Sequence, residues 1–456
     1  MRRALASSLL CIAAGCAAPR PADFVAGEWI TLDDNAAWCW FQDPRALIDG
    51  HLLLAGSIAD DHGVDGRARK GDVDLSVLDL DAHTVERVVL HRALEDDDHD
   101  APALLRLPDG RYLAAFSRHG ADRLMRWRIS TAPGDPLHWG EEQQLDVGAP
   151  CTYHNLFLLG AESGRIHDFH RGLGFDPNDA LSDDGGRSFR HGSRLLTWDP
   201  LSDRGLGGGG RPYLRYASNG VDAIHFITTE DHPRNFDNGI WHGVVKDGAV
   251  LDSFGHRIAR LGERAISPTD LTPVFHGDPD RVAWTVDLEL DAQGLPVAVF
   301  SVQRGDAAVA GDANAGGEHL EYHYARFDGT RWTVSFLAHA GSRLYAPEVD
   351  YSGLCAIDPD HVDDVYLSTN ADPRDGEPLI SSADGRRHHE IYRAHTDDRG
   401  RTWSFTAITA NSSEDNLRPN LPRRDGGRTA LLWLRGTYHT YRDFETRLVG
   451  IVMAQD

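Results

Sequence analysis

His99 and His119 stand twenty positions apart. Between them lie a strand-like run, a Pro108-Asp109-Gly110 turn signal and a second strand-like run, Tyr112–Phe116, so a hairpin can set the two imidazoles side by side. Imidazole can give or take a proton near neutral pH, and His99 follows the acidic run Asp96-Asp97-Asp98, while Arg118 flanks His119. Three further stretches carry chemistry-capable side chains. Tyr153-His154 precedes an apolar strand at 156–159. Asp168-Phe169-His170-Arg171-Gly172 ends the next strand, and an arginine before a glycine at a strand end is well placed to meet an anion. Glycines 207–210 precede Arg211-Pro212-Tyr213-Leu214-Arg215; such a run lets backbone approach closely, but no Lys-Ser/Thr follows, so it is not a phosphate loop.

His225, His232 and His242, with Pro233-Arg234, could contribute to a zinc site, although their spacing matches no standard finger and no cysteine accompanies them. Each of these residues also has an ordinary reading. The chain has 24 histidines, so chance pairs are common. Tyrosine usually packs within a β-fold, and most arginines are solvated.

The elements that must position these groups are short. Runs at 72–80, 112–116, 156–159, 223–228, 282–288, 296–302 and 431–434 are rich in Val, Ile, Leu, Phe, Tyr and Trp and are separated by Gly, Asn, Asp and Pro turns. Helical periodicity is scarce, so the chain reads as all-β. Ser182-Asp183-Asp184-Gly185-Gly186-Arg187-Ser188-Phe189 and Thr396-Asp397-Asp398-Arg399-Gly400-Arg401-Thr402-Trp403 share the template S/T-x-D-x-G-x-S/T-aromatic. This is the Asp-box, a turn found in propeller blades. Phe327-Asp328-Gly329…Trp332 and Ser130…Trp139 are weaker echoes. Residues 26–456 divide into seven blades of roughly 60 residues each, although six larger blades would also fit; the reading is a seven-bladed β-propeller as a single domain. The stretch 305–318, small and glycine-rich, reads as a surface loop within a blade.

The whole chain sets limits. It has 456 residues, 41% of them hydrophobic, enough for a sizeable core; 46 basic against 70 acidic residues give a formal charge of −24. Such a field repels nucleic acid and anionic membranes, so an anionic substrate must be held by locally placed Arg, Lys or His. Arg2-Arg3, an apolar stretch over 4–14 and Ala13-Ala14-Gly15-Cys16 form a signal segment too short to span a bilayer. It resembles a bacterial lipobox, which implies cleavage after residue 15, lipidation of Cys16, a tether over 16–25 and an exported lipoprotein at the outer membrane, cell surface or periplasm, touching membrane only through its anchor. Beyond Cys11 and Cys16, three scattered cysteines (39, 151 and 355) argue against a disulfide framework. No G-x-S-x-G elbow, H-E-x-x-H or Rossmann fingerprint is present. The early Arg-Ile-Pro motif of propeller sialidases is missing, and no carboxylate pair stands out for ordinary glycoside hydrolysis. Nothing indicates a coiled coil or an obligate partner, and the chain reads as a monomer.

Several ordered motifs resemble the BNR-4 group. They are Trp38-Cys39-Trp40-Phe41-Gln42-Asp43-Pro44-Arg45-Ala46, Gly71-Asp72-Val73, Asp97-Asp98-His99…Ala101-Pro102-Ala103, Ser117-Arg118-His119, Arg211-Pro212-Tyr213, Asp231-His232-Pro233-Arg234 and the 396–403 box. That group includes seven-bladed propeller ulvan lyases, which cleave a sulfated rhamnose–uronate polysaccharide by β-elimination, and related α-L-rhamnosidases. The resemblance implies a His, His, Tyr, Arg, Tyr site at His99, His119, Tyr153, Arg171 and Tyr213, with Arg211 and Arg234 also binding substrate. In this reading Arg171 neutralises the uronate carboxylate. The His99/Tyr153 pair supplies base and acid, in a direction left open, and His119 and Tyr213 support substrate position and protonation state. One carboxylate of the acidic run would orient His99 from behind. No cofactor is required for the elimination, and a structural zinc would be compatible with His232 and His242. Two rivals remain. A rhamnosidase of the same fold would act on the opposite face through a histidine near the first blade, where His62 is the nearest candidate; a surface glycan-binding propeller would use the same cleft without catalysis.

Overall fold

Asp184 and Asp398 show why the repeated turns form. Asp184 accepts from the Ser188 N–H at 3.0 Å and the Ser188 hydroxyl at 2.6 Å, while the Ser182 hydroxyl accepts from the Gly186 N–H at 2.9 Å. Asp398 repeats the pattern with Thr402 and Thr396, each contact at 2.8 Å. The aromatic ending each box then fills the gap to the preceding blade. Phe189 packs edge-on against Trp127 at 5.0 Å, and Trp403 against Tyr324 at 5.1 Å.

The structure is a computed structural model and describes residues 21–198, 210–305, 316–346 and 348–453. The signal segment, Cys16, glycines 207–209 and most of the 305–318 loop lie outside the described residues. Seven antiparallel sheets follow one another around an axis, forming a seven-bladed β-propeller. The innermost strands are Ala46–Asp49, Ala103–Arg106, Thr152–Leu159, Leu214–Ser218, Arg281–Leu290, Cys355–Ile357 and Asp415–Asn420. Each blade then steps outward through consecutive strands, the fourth blade being the most elaborate. The seventh is completed by a strand from the other end of the chain: Trp29–Asp33 pairs with Asp443–Met453. The end of the segment read as a tether also joins the fold, where Phe24–Val25 pairs with Thr409–Ala410. The strand-like runs read in the sequence coincide with strands, the 72–80 run overhanging Val73–Asp79 by one residue at each end, and Cys39, Cys151 and Cys355 are buried free thiols.

Residues 36–45 do not join a blade. They cross the central channel and touch all seven. Ala37 bridges Ile58 of the first blade. The Cys39 N–H donates to Asp98 O at 3.0 Å, at the entry to the second. Phe41 O accepts from the Asn155 amide at 3.0 Å in the third, and Asp43 exchanges backbone bonds with His154 and Leu156. Arg215 of the fourth donates to Trp40 O, and the Trp40 indole N–H donates to Thr285 O of the fifth at 3.1 Å. Tyr351, before the sixth, packs edge-on against Trp40 at 5.0 Å, and Arg418 of the seventh donates to Trp38 O. Trp38, Cys39, Trp40 and Phe41 are at most 3% exposed. This plug divides the channel into two mouths. Because it is the shared packing partner of every blade, Trp40→Ala is expected to cost about 3–5 kcal/mol, read as a lowered midpoint in chemical denaturation.

Candidate functional site

Second strands of the blades end on one face, and the loops that follow meet the starts of the next inner strands there. His99 lies just before Ala103–Arg106, His119 just after Tyr112–Phe116, Tyr153 at the start of Thr152–Leu159 and Arg171 at the end of Arg165–Arg171. Tyr213 directly precedes Leu214–Ser218. The five residues singled out in the sequence therefore converge on one mouth of the channel.

The two imidazoles stack face to face, with centroids 3.9 Å apart and planes 7° from parallel. A single carboxylate holds both: Asp97 Oδ1 lies 2.6 Å from His99 Nδ1 and Asp97 Oδ2 lies 2.9 Å from His119 Nδ1. Asp98 Oδ1 adds a second anionic contact to His99 Nδ1 at 2.8 Å, while Asp98 itself is held by Arg418 and by the Tyr438 hydroxyl at 2.5 Å. Asp96 turns away to Lys70 at 2.8 Å. Two cations at this separation would repel by about 4 kcal/mol at an effective dielectric near 20, equivalent to about three pKa units. The pair therefore carries one charge. Burial opposes charge on His99, but the carboxylates of Asp97 and Asp98 against its Nδ1 outweigh it and hold its pKa well above 6.5. His119 goes the other way, to about 4, through burial and then the charge on His99. Asp97 stays ionised because the two histidines overcome its burial.

Tyr153 arrives by an irregular route. Thr152 pairs with Arg171 and Asn155 with Phe169, so the strand bulges at 153–154. Tyr153 takes a left-handed φ of 63°, a conformation that costs about 1–3 kcal/mol in a residue with a Cβ. The bulge re-aims the ring toward the mouth, where it lies 5.3 Å from the His99 ring. Behind it, Asp168 receives His154 Nδ1 at 3.0 Å and His170 Nδ1 at 3.1 Å, tying the two strands that carry Tyr153 and Arg171. Burial pushes the Tyr153 hydroxyl well above its usual 10, with Arg171 and His99 pulling it down. Phe41 of the plug supports both tyrosines, at 5.2 Å from Tyr153 and 4.9 Å from Tyr213.

The Arg171 guanidinium lies over both tyrosine rings, 4.3 Å from Tyr153 and 4.9 Å from Tyr213. It is 9% exposed, and its Nη2 has no hydrogen-bond partner. Among the described residues no carboxylate forms an ion pair with it, although this chain pairs most of its buried arginines.

The other candidates take different places. Arg234 is bound to Glu348 at 2.6 Å, and Arg211 lies over the Phe175 ring at 5.5 Å. His232 packs on Trp284 at 4.7 Å and sits 3.5 Å from Glu348, whereas His242 contacts His225 at 3.2 Å on the neighbouring strand and Ser253 at 2.8 Å. Neither belongs to a group of three metal-capable side chains among the described residues, so the pair has separate surroundings and does not fit a shared zinc. His62 does not lie on the opposite face. It follows Leu52–Ile58, a second strand, so its loop is on the same face as His119 and Arg171, bound to Asp60 at 2.9 Å and Asp443 at 3.3 Å. The opposite mouth is a cavity of about 660 Å³, lined by Asp43, Arg45, Arg215, Asp287 and Glu289 among others. No histidine is among its described lining residues.

Two site residues went unread in the sequence. Tyr441 and Arg442 form the tip between Thr429–Thr440 and Asp443–Met453. The Tyr441 ring stands edge-on to His99 at 5.2 Å and to His119 at 5.7 Å, and Arg442 Nε donates to Asp97 at 2.9 Å. No motif surrounds them; only the closed ring brings residue 441 beside residue 99.

A family model described as "BNR repeat-containing family member" matches residues 67–340. Among curated proteins, none matches the sequence. A solved structure of a PL25 polysaccharide lyase, an ulvan lyase bound to -[GlcA(1-4)Rha3S]-, superposes with a TM-score of 0.66 at 13% identity, over 94% of this chain and 98% of its own. The polysaccharide lyase Uly1 gives a TM-score of 0.56 at 10% identity, over 95% and 100% of the two chains. At these identities the likeness is one of fold.

The shared carboxylate has a direct test. Asp97→Asn removes an anionic partner that favours protonated His99, so the His99 pKa is expected to fall by about 1–3 units, followed by NMR titration of the imidazole resonances.

Proposed function

This chain belongs to the BNR repeat-containing family, and within it we propose that the protein is a polysaccharide lyase, cleaving a uronate-containing, rhamnose-rich glycan such as ulvan by β-elimination. The observation that carries this reading is Arg171, a buried cation without a carboxylate partner among the described residues. Burying an unpaired charge is costly, and an anionic group of the substrate supplies the missing partner. The superposed folds of an ulvan lyase and of the polysaccharide lyase Uly1 are consistent with a polysaccharide substrate.

β-Elimination removes the C5 proton of a uronate, forms the C4–C5 double bond and breaks the bond from C4 to its oxygen. Charge builds on the uronate carboxylate as the proton leaves, and preorganised cations lower that barrier. Arg171 and protonated His99 provide them. A protonated His99 cannot also accept the proton, so the base is assigned to neutral His119. Its Nδ1–H donates to Asp97, which leaves the Nε2 lone pair available. The Tyr153 hydroxyl, protonated at neutral pH, donates to the departing oxygen. The tyrosinate left behind is stabilised by Arg171 at 4.3 Å and by His99 until it is reprotonated. Tyr213, beneath the same guanidinium, orients the carboxylate. No step passes through a metal.

Incubation with ulvan, followed by the ultraviolet absorbance of the new double bond conjugated to the carboxylate, tests the reaction. Rising absorbance is expected. Free rhamnose without absorbance would identify a hydrolase, and retention on the polymer with neither product a binding protein. Arg171→Ala is expected to lower kcat/KM by about 10²–10³ and His119→Ala by about 10²–10⁴; Tyr153→Phe and His99→Ala both fully active would overturn the site.

The pH profile follows from the split histidine pair. Activity needs neutral His119, so kcat/KM rises with pH through about 4. It also needs protonated His99, so it falls only once pH exceeds a pKa held well above 6.5. An ascending limb near 6.5 would show that His119 is not depressed by its neighbours, and a limb that persists unchanged in His119→Ala would reject His119 as the base.

A further inference from the structure

Immediately after Arg171 and Gly172 comes the short turn Leu173–Phe175, on the same face as the site. Leu173 is 54% exposed and Phe175 48% exposed. The turn is strained as well as apolar. Gly174 has a φ of 78° and Phe175 one of 61°, and a bulky side chain rarely adopts that left-handed conformation. The turn is closed by the Phe175 N–H donating to Gly172 O and the Gly172 N–H donating to Asp176 O, both at 2.9 Å. From the next blade, Arg211 brings its guanidinium to 5.5 Å from the centre of the Phe175 ring, and the Arg211 N–H is anchored on Asp231 at 3.2 Å. Pro212 and Tyr213 then lead directly back beneath Arg171.

A half-exposed aromatic ring held by strained backbone, with a cation over one of its faces, matches one kind of ligand. A pyranose ring offers an apolar face of C–H groups that covers an aromatic ring. A carboxylate or sulfate on that sugar presents planar or forked oxygens to an arginine. The platform adjoins Arg171, so a chain whose uronate sits over Arg171 continues across it.

We infer that Leu173, Phe175 and Arg211 form a second subsite, which takes the neighbouring sugar of an anionic polysaccharide by stacking on Phe175 and pairing its carboxylate or sulfate with Arg211. This rests on the lyase reading for the class of ligand. The subsite holds substrate and takes no part in the bond-breaking step.

Affinity electrophoresis of the full chain through gels containing ulvan, chemically desulfated ulvan or neutral dextran tests it. Wild-type protein is expected to be retarded by ulvan and not by dextran. Phe175→Ala is expected to weaken retention about five- to tenfold, and Phe175→Trp to restore it, with both variants unfolding at the wild-type temperature. Arg211→Gln is expected to weaken retention on ulvan; loss of that effect on desulfated ulvan assigns sulfate as its partner, and persistence assigns carboxylate. Unchanged retention of Phe175→Ala overturns the subsite. If ulvan is still cleaved in that case, the lyase reading survives without it. Retention that depends on Phe175, with no double-bond absorbance in the wild type, supports the subsite and sinks the lyase reading. Absence of any retention by wild type overturns the subsite.

Discussion

The segment 36–45 is the constraint on which the molecule depends. A propeller needs its blades to pack around an axis, and here the axis is filled by chain. Trp40 alone receives an arginine from the fourth blade at its carbonyl, reaches the fifth through its indole N–H and meets Tyr351 before the sixth. The same plug supplies Phe41, which props Tyr153 and Tyr213. Packing at the axis and precision at the mouth therefore share residues. An isolated blade would have neither the packing partner nor the prop.

The electrostatics of the mouth rest on a shortage of carboxylate where it matters. Asp97 is shared between two stacked imidazoles, and Asp98 sides with only one of them. One ring therefore keeps its proton and the other gives it up. A few ångströms away Arg171 has aromatic faces in place of an acidic partner. The two imidazoles, the Tyr153 hydroxyl and the guanidinium thus differ in charge although they occupy one small, largely dry volume, where such differences are felt strongly.

Much of this could be read from the chain because it is local. The Asp-box spells out its own hydrogen bonds within eight residues, and the hairpin that joins His99 to His119 is a matter of strand and turn signals. What could not be read is what needs the closed ring. Tyr441 and Arg442 are ordinary tip residues until the seventh blade lies beside the second. The bulge at Tyr153 has no signature in Tyr-His-Asn; its φ of 63° follows from the pull of the plug on Asn155 and His154. Sequence proximity groups His225, His232 and His242 without separating them; the contact of His225 with His242 belongs to adjacent strands, and His232 stands apart against Trp284. His62 is the rival hydrolase's candidate for the far face, and only the strand it follows, Leu52–Ile58, decides that it lies on the face of His119 and Arg171 instead.

Ring closure has a consequence for when the mouth is complete. The tip that braces His99 and His119 sits in the same hairpin whose outer strand receives Trp29–Asp33. A chain emerging from synthesis therefore carries His99, His119, Tyr153 and Arg171 for a long interval without Tyr441 and Arg442. The Asp97 carboxylate meanwhile lacks its cationic brace, and the imidazole stack is open on one side. Joining the two ends completes both the ring of blades and the mouth, so a chain cut short before residue 441 lacks the edge-on ring against His99 and His119 and the guanidinium on Asp97.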